Sequence, residues 1–104
     1  MNRKTFLQLL ENRCLLLDGS YGVQFLIRGY RDSPGEIYNV LRPEIVAELQ
    51  REYVACGVDL LSTNTFSANP RKLKTLGFEN DFERFNRFGA RIAKKAAGNS
   101  TLVF

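Results

Sequence analysis

Three short segments of strand-like composition alternate with segments whose apolar residues recur at helical spacing. The segments are residues 14–17, which are apolar throughout, 58–63 and 101–104, and each is typical of a short strand. Strands that alternate with helices form parallel sheets through right-handed crossovers. The order of these segments therefore predicts an α/β fold with parallel strands.

The helical segments carry recognisable start and stop signals. Pro43 and Pro70 suit the first position of a helix, and glycines follow the last apolar residues of the later segments. Asn80, followed three residues later by Glu83, resembles a capping box. The predicted helices span about residues 3–12, 43–56, 70–76 and 81–97.

Residues 20–41 are predicted to form a long loop because three glycines and one proline interrupt them. Only residues 23–27 could form one or two helical turns. Loops of this length usually carry function. Farther along, Phe82, Phe85 and Phe88 recur at helical spacing and are predicted to face the core or the sheet.

Charge and hydropathy exclude several classes of function. The 104 residues carry 15 Lys and Arg against 11 Asp and Glu, a formal net charge of +4. Basic and acidic residues are interleaved, whereas a nucleic-acid footprint needs basic residues clustered on one face. No apolar run approaches the ~18 residues of a membrane span, and the start MNRKTF does not resemble a secretory signal. We expect no nucleic-acid partner, no membrane attachment and a cytoplasmic location.

The nucleophilic and metal-binding residue types are scarce. The chain has no histidine, which excludes Ser-His and Cys-His nucleophile pairs within it. Cys14 and Cys56 form no CxxC pair, so we expect two reduced thiols buried as small apolar residues. The stretch DGSYG at residues 18–22 lacks the glycine spacing of dinucleotide and P-loop sites.

Polar residues follow the first two predicted strands, at the edge where the carboxyl ends of parallel strands meet. Asp18 could bind an amino group, glycine lets backbone amides approach a ligand, and the neutral side chains suit a small zwitterion. Structural roles compete, since Asp-Gly is a common turn and Thr-Asn often caps a helix. The candidate substrate-binding residues are Asp18, Gly19, Ser20, Tyr21, Thr63, Asn64 and Thr65.

Three stretches carry a family resemblance: LLLDGSYGVQF, YNVLRPEIVAELQREYVACGVDLLSTNTFSAN, and RKLKTLGFEN followed by FNRFGARIAKKAAG. In order and spacing they are similar to the N-terminal portion of the homocysteine S-methyltransferase domain family, the type found in methionine synthases and betaine-homocysteine methyltransferases. The most specific elements are the turn Asp-Gly-x-x-Gly and the strand exit Thr-Asn-Thr-Phe-x-Ala. The resemblance covers the chain from about Leu15 to Phe104.

The resemblance implies a (β/α)8 TIM barrel. This chain supplies the first three strands, so the barrel that it forms is incomplete. The resemblance also implies that zinc binds homocysteine as a thiolate, whose sulfur attacks an activated methyl group. The family's zinc cysteines lie in later strands and have no counterpart in Cys14 and Cys56, so no metal ligand and no catalytic residue is expected here. Cobalamin or methyltetrahydrofolate would be bound by other domains.

Carried over to matching positions, Asp18 faces the amino group of homocysteine, the backbone of residues 19–21 meets its carboxylate, and residues 63–65 line the pocket. A barrel needs about 250 residues, so residues 1–104 are predicted to be an N-terminal fragment that is inactive alone. Its partners would be homocysteine and a methyl donor that these residues do not identify.

The alternative is a small α/β binding or interaction domain without catalysis, which self-associates through unpaired strand edges. A flavodoxin-like domain is excluded because its sheet needs more than three strands.

Overall fold

The computed structural model describes all residues, 1–104. The helices are α1 (Arg3–Asn12), α2 (Gly22–Ile27), α3 (Tyr38–Leu41), α4 (Pro43–Ala55), α5 (Pro70–Leu76) and α6 (Phe82–Ala97). Two 3-10 turns cover Gly35–Ile37 and Glu79–Asp81, and the strands are β1 (Leu60–Leu61) and β2 (Leu102–Val103). None of the helices combines the length and the apolar character that a membrane-spanning helix needs.

The strands form a small parallel sheet in which Leu60 pairs with Leu102 and Leu61 with Val103. Leu17 adds one isolated parallel bridge to Leu60 on the other side of β1. The three extended segments therefore lie side by side in chain order, with β1 in the middle. This confirms the predicted α/β arrangement of parallel segments joined by helices.

The predicted first strand, residues 14–17, does not form. Leu17 alone makes a bridge, and the backbone amide of Leu16 binds the side chain of Asp59 at 2.8 Å instead of a neighbouring strand. Leu16 and Leu17 are also half exposed rather than buried on both faces. Backbone bonds join Leu16 and Asp18 to residues 59 and 60 on either side of this bridge, and the Asp59 carboxylate binds the Leu16 amide.

The predicted loop at residues 20–41 is mostly helical. It contains α2, a 3-10 turn and α3, because Phe25 and Tyr38 are buried in one apolar cluster and hold these short elements against α4. Their rings meet edge to face, with centroids 5.3 Å apart. Tertiary packing therefore overrides the local effect of the glycines and the proline.

Helix α6 organises the rest of the core. Ala93 on α6 packs against Leu61 of β1, and Phe85 on α6 packs against Leu73 of α5. Phe85 is buried as predicted, whereas Phe82, at the first residue of α6, is exposed. The helix begins beyond the packed surface, so its first aromatic side chain faces solvent.

Both cysteines are exposed, so the prediction that they are buried was wrong. Cys14 lies in the unpaired segment after α1, and Cys56 follows the last residue of α4. Neither position belongs to an apolar stripe that packs on another element.

The helix boundaries follow the predicted signals with one exception. The Asn69 side chain accepts from the backbone amide of Lys72 at 2.9 Å, and Gly77 ends α5 with φ of +81°. The capping box at Asn80 does not form, because Asn80 lies inside the 3-10 turn Glu79–Asp81 and α6 begins one residue later than a cap there requires. Asp81 at this start pairs with Arg84 at 2.6 Å.

Candidate functional site

A cavity of about 580 Å³ opens at the carboxyl ends of the parallel segments. Six of the seven candidate residues line it: Gly19, Ser20, Tyr21, Thr63, Asn64 and Thr65. The other lining residues are Gly22, Gly35, Glu36, Ser62, Phe66, Ser67 and Phe104. The fold thus brings the two polar turns together across about 45 positions of sequence, as the parallel topology predicts.

Asp18 does not line the cavity but lies directly behind it. Its carboxylate accepts hydrogen bonds from the Ser62 backbone amide at 3.0 Å and from the Ser62 hydroxyl at 2.9 Å. The hydroxyl of Tyr21 donates to the same carboxylate at 2.7 Å. Asp18 therefore ties the turn at residues 19–22 to the end of β1.

Tyr21 is a buried part of this network. Its hydroxyl also lies against the Ser62 carbonyl, and the side-chain amide of Gln50 donates to it at 3.2 Å. Burial raises the pKa of the Tyr21 phenol, and the neighbouring Asp18 carboxylate raises this pKa further. The phenol is therefore neutral at physiological pH and can act as a hydrogen-bond donor.

The turn at residues 19–21 presents backbone donors. The amides of Gly19, Ser20 and Tyr21 donate no hydrogen bond within the chain. The Ser20 carbonyl accepts from the Tyr53 hydroxyl at 2.7 Å, which holds the turn in place. Consecutive amides without partners beside a cavity form a favourable site for an anion such as a carboxylate.

Two buried asparagines hold the exit of β1 in position. The Asn39 side chain donates to the Asn64 carbonyl at 2.8 Å and to the Phe85 carbonyl at 3.0 Å. The Asn64 side chain in turn donates to the Asn39 side-chain oxygen at 2.9 Å. Asn64 is therefore structural as well as cavity-lining.

The remaining polar residues of this exit are close neighbours. The hydroxyls of Thr63 and Thr65 lie 2.7 Å apart. Gly89 on α6 lets the helix approach, since a Cβ at this position would lie 2.9 Å from Thr65 Cγ2 and 2.8 Å from Asn39 Nδ2. Close packing of α6 thus constrains the position of the Thr65 side chain.

Glu36, Gln50 and Ser62 belong to the site but were not predicted. Gln50 carries a detectable signal, because it is polar on the apolar face of α4, four residues after Val46. Ser62 precedes the recognised Thr-Asn-Thr motif and has no signal of its own. Glu36 lies within the stretch predicted to be loop, and no motif around it marks it as a site residue.

The chain's own residues do not fit a zinc site. No group of three or more His, Cys, Asp or Glu side chains lies close enough to hold a metal ion. Cys14 and Cys56 are outside the cavity lining. The cavity offers backbone amides, hydroxyls and a carboxylate, which are groups that bind the polar end of an amino acid.

Comparison with known proteins identifies relatives. A family model described as homocysteine S-methyltransferase matches residues 15–103. Methionine synthase of Mycobacterium leprae (strain TN) is 29% identical over 102 residues, which cover 91% of this chain and 8% of that protein. Methionine synthase of Mycobacterium tuberculosis (strain ATCC 25618 / H37Rv) is 29% identical over 98 residues, covering 88% of this chain and 8% of that protein. The chain thus spans about 8% of the length of the relatives it matches.

Proposed function

The chain belongs to the homocysteine S-methyltransferase family, and we propose that it binds the amino acid end of homocysteine within a larger methyltransferase. The observation that carries this proposal is the cavity where the turn at residues 19–22 meets the exit of β1 at residues 62–67. Ligands of parallel α/β folds bind at this end of the strands.

The architecture proposed for the larger protein is a (β/α)8 barrel. Leu17, β1 and β2 lie in chain order and parallel, which is the order of consecutive barrel strands. The chain would supply the first part of such a barrel, and its outer layer would include α4 and α6. Alone, the chain would be inactive, because the remaining strands of the barrel would carry the other half of the site.

The turn and the strand exit would divide the recognition of the zwitterion. The free amides of Gly19, Ser20 and Tyr21 would receive the α-carboxylate of homocysteine. Thr63 and Thr65 would offer hydroxyls to the polar end. The Asp18 carboxylate, which lies behind the lining and binds Tyr21 and Ser62, would supply negative charge for the amino group. This fixes the orientation of the substrate, and orientation is a large part of the rate gain in a two-substrate reaction.

The reaction would transfer a methyl group to the homocysteine sulfur. The thiol first loses its proton; the sulfur lone pair then forms a bond to the methyl carbon while the bond from that carbon to the donor breaks, giving methionine. The methyl donor and any zinc, cobalamin or methyltetrahydrofolate would be held by residues outside this chain. Its own residues would bind the substrate and hold its polar end still.

The test is binding of L-homocysteine to the complete protein, measured by calorimetry under reducing conditions. We expect saturable binding, and about tenfold or greater loss for 3-aminopropane-1-thiol, which lacks the carboxylate. Thr63→Val should weaken homocysteine binding, whereas Thr75→Val, on the exposed face of α5, should not. Absence of homocysteine binding by the complete protein would overturn the proposal.

A further inference from the structure

Tyr53, on α4, contacts the turn at residues 19–21 without taking part in the cavity wall. Its hydroxyl donates a hydrogen bond to the Ser20 carbonyl at 2.7 Å. Ser20 and Tyr21 line the cavity, whereas Tyr53 does not. A residue outside the wall therefore fixes the direction of one carbonyl within it.

The Tyr53 hydroxyl lies so close to the turn that residue 19 has no room for a side chain. A Cβ at Gly19 would lie 2.9 Å from the Tyr53 hydroxyl oxygen and 3.4 Å from two carbons of its ring. The Tyr53 ring also packs beside the ring of Tyr21, with centroids 6.0 Å apart. Packing thus holds the hydroxyl in place, and the Ser20 carbonyl meets a fixed donor.

The bond to the Ser20 carbonyl also orients the amide of Tyr21, because both groups belong to one peptide unit. This peptide is trans, so its carbonyl and its N–H point in opposite directions. With the carbonyl directed at Tyr53, the N–H is directed away from Tyr53, and it donates no hydrogen bond within the chain. A hydrogen bond at the carbonyl polarises the peptide as well, which strengthens the N–H as a donor.

We propose that Tyr53 is a positioning residue for substrate binding, whose hydroxyl sets the Ser20–Tyr21 peptide so that the Tyr21 amide donates to the α-carboxylate of homocysteine. This rests on the proposed function, which places that carboxylate at the amides of residues 19–21. Tyr53 itself does not touch the substrate. It acts through the peptide that it holds, and so raises the preference for thiols that carry a carboxylate.

A purely structural role for Tyr53 gives a different expectation. If its hydroxyl only tied α4 to the turn, Tyr53→Phe would lower stability and would weaken all ligands of the cavity alike, or none. If the hydroxyl orients the Tyr21 amide, the loss falls on ligands with a carboxylate. The two roles therefore differ in ligand preference, which a change in stability alone does not move.

The experiment compares L-homocysteine with 3-aminopropane-1-thiol, the same molecule without the carboxylate, by calorimetry on the complete protein under reducing conditions. Tyr53→Phe keeps the ring and removes the hydroxyl. We expect it to reduce the preference for homocysteine over 3-aminopropane-1-thiol about threefold or more, because the amide is no longer held toward the carboxylate. The affinity for 3-aminopropane-1-thiol should stay the same.

The matched control is Tyr38→Phe, which also removes one hydrogen-bonded phenol. The Tyr38 hydroxyl donates to the Asp32 carboxylate and accepts from the Asp32 backbone amide, both at 2.9 Å. Tyr38 does not line the cavity. This variant should lose stability and leave the ligand preference unchanged.

Circular dichroism and the thermal midpoint establish that each variant is folded. If Tyr53→Phe does not fold, Gly19→Ala tests the same contact, because the added Cβ would displace the Tyr53 hydroxyl, and it should lower the preference as well.

Three results would count against these proposals. An unchanged preference in folded Tyr53→Phe, or equal weakening of both ligands, overturns the positioning role and leaves the proposed function standing. Failure of the unaltered protein to bind homocysteine overturns both.

Discussion

The carboxylate of Asp18 accepts two hydrogen bonds from Ser62, one from its backbone amide at 3.0 Å and one from its hydroxyl at 2.9 Å. This pair joins the turn after the first extended segment to the end of β1, 44 positions later. The turn and the strand exit both line the cavity. The Asp18–Ser62 pair therefore holds the shape of the site as well as the fold.

Asp18→Ala is expected to lower the free energy of unfolding of the protein by about 2–3 kcal/mol, since the bonds to a charged acceptor are lost. Ser62→Ala, which keeps the backbone amide, should cost about 1 kcal/mol. Urea denaturation measures both changes. Glu79→Gln alters an exposed carboxylate without an ion pair and serves as control. A loss for Asp18→Ala no larger than that of the control would contradict the structural role of the pair.

Tyr21 makes stability depend on alkaline pH. Burial raises the pKa of its phenol in the folded protein, whereas in the unfolded chain that pKa is about 10. The unfolded chain thus loses the proton first, so the free energy of unfolding is unaffected below about pH 10 and falls as the pH rises above it. Tyr38 and Tyr53 act in the same direction, because burial raises the pKa of both.

Tyr21→Phe should therefore flatten, without abolishing, the fall in stability above about pH 10. At neutral pH the same variant should be less stable by about 1–2 kcal/mol, because its bond to Asp18 is gone. Urea denaturation at a series of pH values gives both quantities. Identical slopes for the variant and the unaltered protein would show that Tyr21 is not the titrating group.

Gly89 should not tolerate a side chain. A glycine-to-alanine change within a helix usually stabilises it by up to about 1 kcal/mol, but a Cβ on Gly89 would meet Asn39 Nδ2 at 2.8 Å and Thr65 Cγ2 at 2.9 Å. We expect Gly89→Ala to destabilise the protein by about 1–3 kcal/mol. The matched control is Gly22→Ala in α2, where nothing lies within 4 Å of the added Cβ. In thermal unfolding, the midpoint temperature of Gly89→Ala should lie below that of the unaltered protein, and the midpoint of Gly22→Ala should not.

Two asparagines of similar sequence context should differ in their effect on stability. Asn69 caps α5 by accepting from the Lys72 amide, so Asn69→Ala should cost about 1 kcal/mol. Asn80 is exposed and its side chain makes no hydrogen bond, so Asn80→Ala should change the free energy of unfolding by less than about 0.5 kcal/mol. Equal losses of stability for the two variants, measured by urea denaturation, would show that Asn80 does cap α6.

Local patterns were sufficient for the features that depend on neighbours in sequence. The apolar stripe and proline of α4, the cap and glycine of α5, and the boundaries of α1 are all where the sequence predicts them. The same patterns identified both polar turns, because a turn that ends a parallel strand has a recognisable composition. Their meeting at one cavity followed from strand direction alone.

Contacts between distant residues decided what the patterns missed. The Asp59 side chain binds the amide of Leu16 where a first strand was predicted, and the packing of Phe25 on Tyr38 holds a glycine-rich stretch in short helices. The Glu36 carboxylate likewise binds a partner 31 positions away, the backbone amide of Ser67. Hydrogen bonds and ring contacts across such separations depend on how elements pack, and no local window of sequence contains that information.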